Sequence, residues 1–458
     1  MIIRNFYESK LAQASYLIGC SATGEAIVID PLRDIQQYLD MAGAQGLRIV
    51  AVTETHIHAD FLSGTRELAA ATGATMYLSD EGDAAWKYDF ANDPQVVRLY
   101  NGDTIHIGNV SLNVIHTPGH TPEHVAFLLT DHPVSTMAHS LFSGDFVFVG
   151  DVGRPDLLER AAKIEGTMEQ GARNLFRSLH KLKELPDSLL IWPGHGAGSA
   201  CGKSLGGSPV TSLGYERDSN WALKCDSEDR FVDEILAGQP EPPLYFKEMK
   251  RLNKQGPTVL GSLPTIKRVQ EIKGQLVDVR SDDQIRQGLY EGAIAVPEGS
   301  SFTTWAGWVV GYDAPITLIA ESQSAADAAA RDLATIGLDD VSGWIHINDL
   351  ERGKIKPFQT VTVSELADGA LILDVRGMNE RSECYIGGSV HIPYGYLRDR
   401  VAELPKDRKI IVHCAAGGRS PIAYSILRAA GFTDVCELPG GMDSVEVGAP
   451  DLICQALN

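Results

Sequence analysis

Apolar positions in the first half of this chain fall in short runs broken by glycine and polar turns, too often interrupted for long helices. Tyr16-Leu17-Ile18 and Ala26-Ile27-Val28-Ile29-Asp30, separated by Ser21-Ala22-Thr23-Gly24-Glu25, predict a β-hairpin. Leu47-Arg48-Ile49-Val50-Ala51-Val52 is a β-branched run of the kind that forms a buried strand. Shorter strands are predicted over Met76–Leu78, Ile105–Ile107, Val110–Ile115, Val125–Leu129 and Leu141–Ser143, with helices over Ile35–Ala42 and from Gly64 to about Ala71. Many strands with few helices between them imply two sheets packed face to face and flanked by helices.

The rhythm changes after Pro240-Glu241-Pro242-Pro243, which cannot continue the helix predicted over Phe231–Leu236, and again after Lys254-Gln255-Gly256-Pro257. Beyond that point the chain repeats itself. Leu276-Val277-Asp278-Val279-Arg280 recurs 96 residues later as Ile372-Leu373-Asp374-Val375-Arg376. Tyr290–Pro297 recurs as Tyr385–Pro393, and Ile316–Ala320 as Lys409–His413. Each copy alternates strands with helices, Ala325–Ile336 in one and Pro421–Ala430 in the other, which is the pattern of a parallel sheet with crossover helices. The fold class is therefore a multidomain α/β chain, with domains expected over residues 1–250, 258–350 and 358–458.

Composition narrows the function. At 458 residues the chain is long enough for several cores, and its net charge of −20 argues against nucleic-acid or anionic-membrane partners. The first residues lack a continuous apolar stretch and no later segment is apolar for a membrane span, so a soluble, cytoplasmic protein is expected. Seven cysteines form no C-x-x-C pair, as expected where thiols stay reduced. Cys20, Cys384, Cys436 and Cys454 read as buried fillers.

Ten of the thirteen histidines precede residue 200. His56 and His58 point the same way from an extended segment, with Asp60 two residues on, just past the predicted strand ending at Val52. An isolated H-x-H is ordinarily a surface pair. Here His120 in Thr117-Pro118-Gly119-His120-Thr121, Asp145 after Gly144, and His195 after Pro193-Gly194 each close an apolar run at a glycine turn, and together they point to a metal. His106, His132, His139 and His180 read as ordinary surface or packing residues; His116 and His124 lie nearer the cluster and stay ambiguous. Cys201 follows His195 by six residues with Lys203 beside it, so a thiolate at the mouth of the metal pocket is expected. The glycine-rich segment around it fails the phosphate-loop spacing, because Lys203 stands where a glycine is needed.

Only the second repeat keeps a nucleophile, Cys414-Ala415-Ala416-Gly417-Gly418-Arg419-Ser420; the matching places in the first read Ala320-Glu321-Ser322. Gly417 and Gly418 allow a tight turn whose N–H groups face the sulfur, and Ser420-Pro421 is a good cap for the next helix. With the helix terminus and Arg419, that nest would stabilise a sulfur anion. Asp374, Arg376 and Glu380 read as structural ion pairing.

The ordered motifs Thr55–Asp60, Thr117–Thr121, Gly144-Asp145 and Pro193-Gly194-His195 resemble the metallo-β-lactamase fold, an αββα sandwich, over roughly residues 1 to 250. Within it, T-H-x-H-A-D, T-P-G-H-T and Gly150–Asp156 resemble the persulfide dioxygenases. The remainder resembles tandem rhodanese domains, the first inert and the second active. The resemblance implies one Fe(II) per chain held by His56, His120 and Asp145, zinc being a less favoured substitute, with His58, Asp60 and His195 supporting the ligands. It also implies that Arg154 holds the carboxylate end of the substrate. Phe61 departs from the binuclear hydrolases, which carry a histidine there, and a two-histidine, one-carboxylate face leaves room for dioxygen and sulfur. The expected chemistry is oxidation of a glutathione, coenzyme A or bacillithiol persulfide by O2 to sulfite, then transfer of sulfane sulfur from Cys414 to sulfite. Glyoxalase II-like thioester hydrolysis and a non-oxidative sulfur carrier are the alternatives, and a homo-oligomer is expected.

Overall fold

A computed structural model of the protein describes residues 1–162, 166–367 and 369–455. It divides into one unit of Met1–Leu263 with Ala334–Gly337 and another of Pro264–Leu333 with Leu338–Asn458. Among the described residues no helix is long and apolar enough to cross a membrane.

The first unit holds two six-stranded sheets. Strand Gln13–Cys20 pairs antiparallel with Glu25–Ile29, as the predicted hairpin requires, and Glu25–Ile29 pairs parallel with Arg48–Thr53. A strand the apolar pattern did not announce, Ile2–Glu8, forms the edge against Gln13–Cys20. In the second sheet, Val125–Asp131 lies between Val110–His116 and Ser140–Gly144, and Ser140–Gly144 pairs parallel with Leu190–Pro193. Side chains from both sheets, Tyr16, Ile18, Ile27 and Ile29 with Leu112, Val114, Phe127 and Phe142, share one buried layer. The opposite faces are covered by helices. Tyr38, Ala42 and Leu68 pack on the first sheet, and Ala172, Leu175 and Phe231 on the second, which is the αββα arrangement.

This unit runs past the boundary expected at residue 250. Helix Phe246–Gln255 buries Phe246, Met249 and Asn253, and Asn253 is fixed to the metal loop: Nδ2 donates to the carbonyls of His58 and Phe61, both at 2.8 Å, and Oδ1 accepts from the Ser63 N–H at 2.9 Å. The proline-rich stretch at 240–243 therefore lies inside the unit rather than at its end.

The second unit contains two four-stranded parallel sheets built on one plan. In the first, Gln275–Asp278 lies between Ile294–Ala295 and Ile316–Ile319, with Val341–Ile345 outermost. In the second, Leu371–Asp374 lies between Val390–His391 and Ile410–His413, with Val435–Glu437 outermost. The strand order is the same in both, as the sequence repeat predicts. Of the supposed filler cysteines, Cys20 and Cys436 are buried, but Cys384 is half-buried and Cys454 exposed, since both sit on an accessory two-stranded ribbon outside the sheet core.

Candidate functional site

His56 and His58 follow strand Arg48–Thr53, and Asp145 follows strand Ser140–Gly144. His120 lies in the connection before strand Val125–Asp131. These turns bring donor atoms of His56, His120 and Asp145 within 4.8 Å of one another, all buried. Asp145 Oδ2 lies 3.5 Å from His120 Nε2 and 4.0 Å from His56 Nε2. Such spacings suit a cation about 2 Å from each donor. His56 Nε2 and Asp145 Oδ2 are buried with no hydrogen-bond partner, a costly state for polar atoms that a bound cation would relieve. The residues present therefore fit a metal.

The ring protons are placed for that purpose. Thr55 Oγ1 donates to Asp30 Oδ2 at 2.9 Å, so His56 Nδ1, 3.0 Å from Thr55 Oγ1, must be the donor in that contact, leaving the Nε2 lone pair free. His120 Nδ1 donates to the Arg154 carbonyl at 2.9 Å, with the same result. Burial lowers the pKa of His56 and of His120, keeping both rings neutral. Asp145 is shifted the other way: burial opposes its charge, but His195 outweighs that and holds the carboxyl well below the usual range. The site is tight at Gly194, where a Cβ would come within 2.7 Å of Asp145 Oδ1.

His195 spends both ring nitrogens on carboxylates, Nδ1 on Asp145 Oδ1 and Nε2 on Asp60 Oδ2, each at 2.7 Å. Two acceptor partners require two N–H donors, hence an imidazolium. Its pKa is raised well above the usual value because Asp145 and Asp60 outweigh the effect of burial. His58 Nε2 lies 3.0 Å from Asp30 Oδ1; burial opposes its protonation, but Asp30 and then Asp60 raise its pKa to about 9. Phe61 is fully buried against the His58 ring, with centroids 4.3 Å apart.

Two expectations are corrected. Cys201 is not a thiolate at a pocket mouth. It is buried, its pKa is pushed well above the ordinary thiol value by burial, Asp60 and Asp145, and the Lys203 ammonium goes to the Ala237 carbonyl instead. Cys201 does lie within 4.8 Å of Asp60 and His195 by donor atoms. Arg154 does not face a substrate: it is fully buried, bidentate on Asp156 at 2.8 and 2.7 Å, and bonded to the carbonyls of Ala200 and Pro240.

Two site residues, Asp30 and Asn253, escaped the sequence, and His124, ambiguous there, joins them at the site. Asp30 takes the Thr55 N–H at 2.7 Å as well as its hydroxyl, Asn253 holds the metal loop, and His124 accepts the Asp145 N–H on Nε2 at 3.1 Å while Nδ1 donates to Thr117 Oγ1. The only signal was their type: a carboxylate ending the apolar strand at Ile29, and a histidine close behind His120. His116 is a packing residue, bonded through Nε2 to the Pro122 carbonyl.

In the second unit Cys414 is buried, with the Gly417 N–H aimed at Sγ from 3.1 Å. Gly417 has φ +104, which only glycine adopts readily. Arg419 is bidentate on Glu380 at 2.5 and 2.6 Å, so Glu380 pairs with the loop rather than with Arg376, which is bidentate on Asp374. Ser420 is not a cap. It is the first helical residue, and its hydroxyl donates to Glu437 at 2.6 Å.

The αββα unit with its His, His, Asp donor set and the parallel sheet with its cysteine loop define a two-part class of protein. The Metallo-beta-lactamase superfamily matches residues 10–195 and the Rhodanese-like domain matches residues 361–446. The chain belongs to the metallo-beta-lactamase superfamily and carries a C-terminal rhodanese-like domain. Within that superfamily its first half is similar to "Persulfide dioxygenase ETHE1, mitochondrial" of Bos taurus, 28% identical over 53% of this chain and 84% of the relative. It is also similar to a hydroxyacylglutathione hydrolase of Polaromonas sp., 30% identical over 53% of this chain and 94% of that protein. A crystal structure of a metallo-beta-lactamase from Staphylococcus aureus subsp. aureus COL matches at TM-score 0.70 and 42% identity, covering 76% of this chain and 99% of that one.

Proposed function

We propose that this chain oxidises a low-molecular-weight thiol persulfide with dioxygen to sulfite at one ferrous iron held by His56, His120 and Asp145, and that Cys414 passes sulfane sulfur to sulfite. The balance is RSSH + O2 + H2O giving RSH, sulfite and two protons. Ferrous iron bound there would supply redox chemistry toward dioxygen and a sulfur ligand. The chain's own residues do the rest. Asp30 through Thr55, and the Arg154 carbonyl, orient the two imidazoles, while the His195 imidazolium fixes Asp145.

At the second site the Cys414 sulfur attacks the outer sulfur of another persulfide. A Cys414–sulfur bond forms, the donor's S–S bond breaks, and the thiol leaves. Sulfite then attacks the outer sulfur, and thiosulfate departs as the cysteine thiolate returns. The Gly417 N–H stabilises the anion in both steps. Joining the sites makes sense because the product of one is the acceptor at the other, and a tether raises its effective concentration.

The observation that carries the reading is the engagement of His195. Asp60, His195 and Cys201 form a second donor group, but both His195 nitrogens are committed to carboxylates and Phe61 supplies no donor. Anaerobically loaded protein should bind one iron per chain and consume oxygen with glutathione persulfide. The similarity to hydroxyacylglutathione hydrolases favours a second reading, in which a metal-bound hydroxide cleaves a thioester. Two zinc ions per chain with thioester cleavage and no oxygen uptake would establish that reading and end the first.

A further inference from the structure

The middle repeat has no thiol, yet it places side chains on the loop that carries Cys414. Arg286, on helix Asp282–Gln287, makes a bidentate pair with Glu437: Nε to Oε2 and Nη2 to Oε1, both 2.8 Å. The same Nη2 donates to the Gly417 carbonyl at 2.8 Å. Glu437 is fully buried at the end of strand Val435–Glu437, so its charge needs this partner. Its Oε1 also takes the Ser420 hydroxyl hydrogen at 2.6 Å, which turns the lone pairs of Ser420 Oγ toward Cys414 Sγ, 3.7 Å away. Gly417, whose carbonyl Arg286 holds, is the residue whose N–H faces the sulfur. Trp305, on helix Phe302–Val309 of the same repeat, lines the other side: a Cβ on Gly418 would meet its ring at 3.2 Å.

We propose that Arg286 is a positioning residue for sulfur transfer, and that the thiol-less repeat is retained because the Cys414 loop is incomplete without it. The inference rests on Cys414 being the sulfur carrier. Arg286 makes its hydrogen bonds to Glu437, Gly417 and Asp282, not to the sulfur. It sets the direction of two groups that do face the sulfur, the Gly417 N–H and the Ser420 hydroxyl, by fixing Gly417 from its carbonyl side and Ser420 through Glu437. An arginine fork meets both demands at once, which a single ammonium cannot.

The test uses the full chain, assayed for sulfur transfer from thiosulfate to cyanide. Arg286→Gln is expected to lower kcat about tenfold while KM for thiosulfate stays within about twofold. Arg286→Lys, which keeps a cation at Glu437, should recover about a third of the lost rate. Because Arg286→Gln leaves a lone buried carboxylate, the double variant Arg286→Gln with Glu437→Gln is measured alongside; it removes that charge and should recover the parental melting temperature without recovering kcat. A double variant in which kcat returns with stability, or an Arg286→Gln protein with parental kcat, would overturn the proposal. Continued transfer by Cys414→Ser would instead overturn the assignment of the carrier.

Discussion

Replacing Asp30 by asparagine exchanges one oxygen for an NH2 group and should reverse the proton order behind His56. The backbone does not object: Asp30 sits at φ +51, where asparagine is as well tolerated as aspartate. In the parent the carboxylate accepts the Thr55 hydroxyl, so the His56 Nδ1 proton must point to Thr55 and Nε2 keeps its lone pair. Asparagine will orient with its oxygen toward the Thr55 N–H and His58 Nε2, because the opposite orientation sets its NH2 against two donors. Its NH2 then donates to Thr55 Oγ1. The hydroxyl turns to donate to His56 Nδ1, and the ring proton moves to Nε2, the atom facing Asp145 and His120. Loss of such support around a ligand costs about 10–100-fold in metal affinity. We expect about a 30-fold rise in the iron Kd, equivalent to about 2 kcal/mol. Anaerobic competition against a ferrous chelator measures it, with circular dichroism as the check on folding. A folded Asp30→Asn protein whose Kd lies within about threefold of the parent refutes the relay.

Gly194→Ala would push a methyl group to 2.7 Å from Asp145 Oδ1; iron content after gel filtration should fall about tenfold, and full retention would show that the loop gives way. Cys414→Ser should release sulfite in place of thiosulfate while oxygen uptake persists, and an unchanged thiosulfate yield would break the coupling of the two sites. Asp374 is fully buried; burial opposes its charge, but the Arg376 guanidinium outweighs it and holds its carboxyl at about 2. The unfolded carboxyl binds its proton more tightly, so this contribution of about 2 kcal/mol is complete above about pH 4 and is lost as pH falls toward 2. Urea melts of the parent and Asp374→Asn should therefore differ most at neutral pH, by about half as much at about pH 3, and converge by about pH 2; a gap that does not change with pH contradicts the sign.

How much was legible in advance depended on how far each residue's partners lie along the chain. The strands and the His56, His120 and Asp145 donors announce themselves locally, because an apolar run ending at a glycine turn leaves its polar residue at a sheet edge. Asp30 is different. It stands beside Thr55 only because strand Glu25–Ile29 pairs parallel with Arg48–Thr53, and that register is a tertiary fact. Asn253 sits on a helix nearly two hundred positions beyond the carbonyls it holds, in a stretch that read as a boundary. Arg154 and Cys201 carried the right residue types for a substrate anchor and a reactive thiol, but burial decides what such groups do, and burial is not written in spacing. Ser420 shows the same limit: a good capping pair by sequence, it gives its hydroxyl to Glu437 because a buried carboxylate accepts more strongly than a helix end needs.

Sequence identity alone does not separate oxidation from hydrolysis, since this chain resembles relatives named for each activity to a similar degree. The atoms around His195 weigh the two. A second cation would take its ligands from the group Asp60, His195 and Cys201, yet a ring nitrogen that binds a cation must first lose its proton, and His195 has two, each shared with a carboxylate at 2.7 Å. Freeing Nε2 would cost the charge-assisted bond to Asp60 and the positive charge that keeps Asp145 ionised for the first cation. Occupying the second position therefore works against the first. A lone cation meets no such conflict: Asp145 Oδ1 would stay with the His195 imidazolium, and Oδ2, the atom with no other partner, would hold the metal.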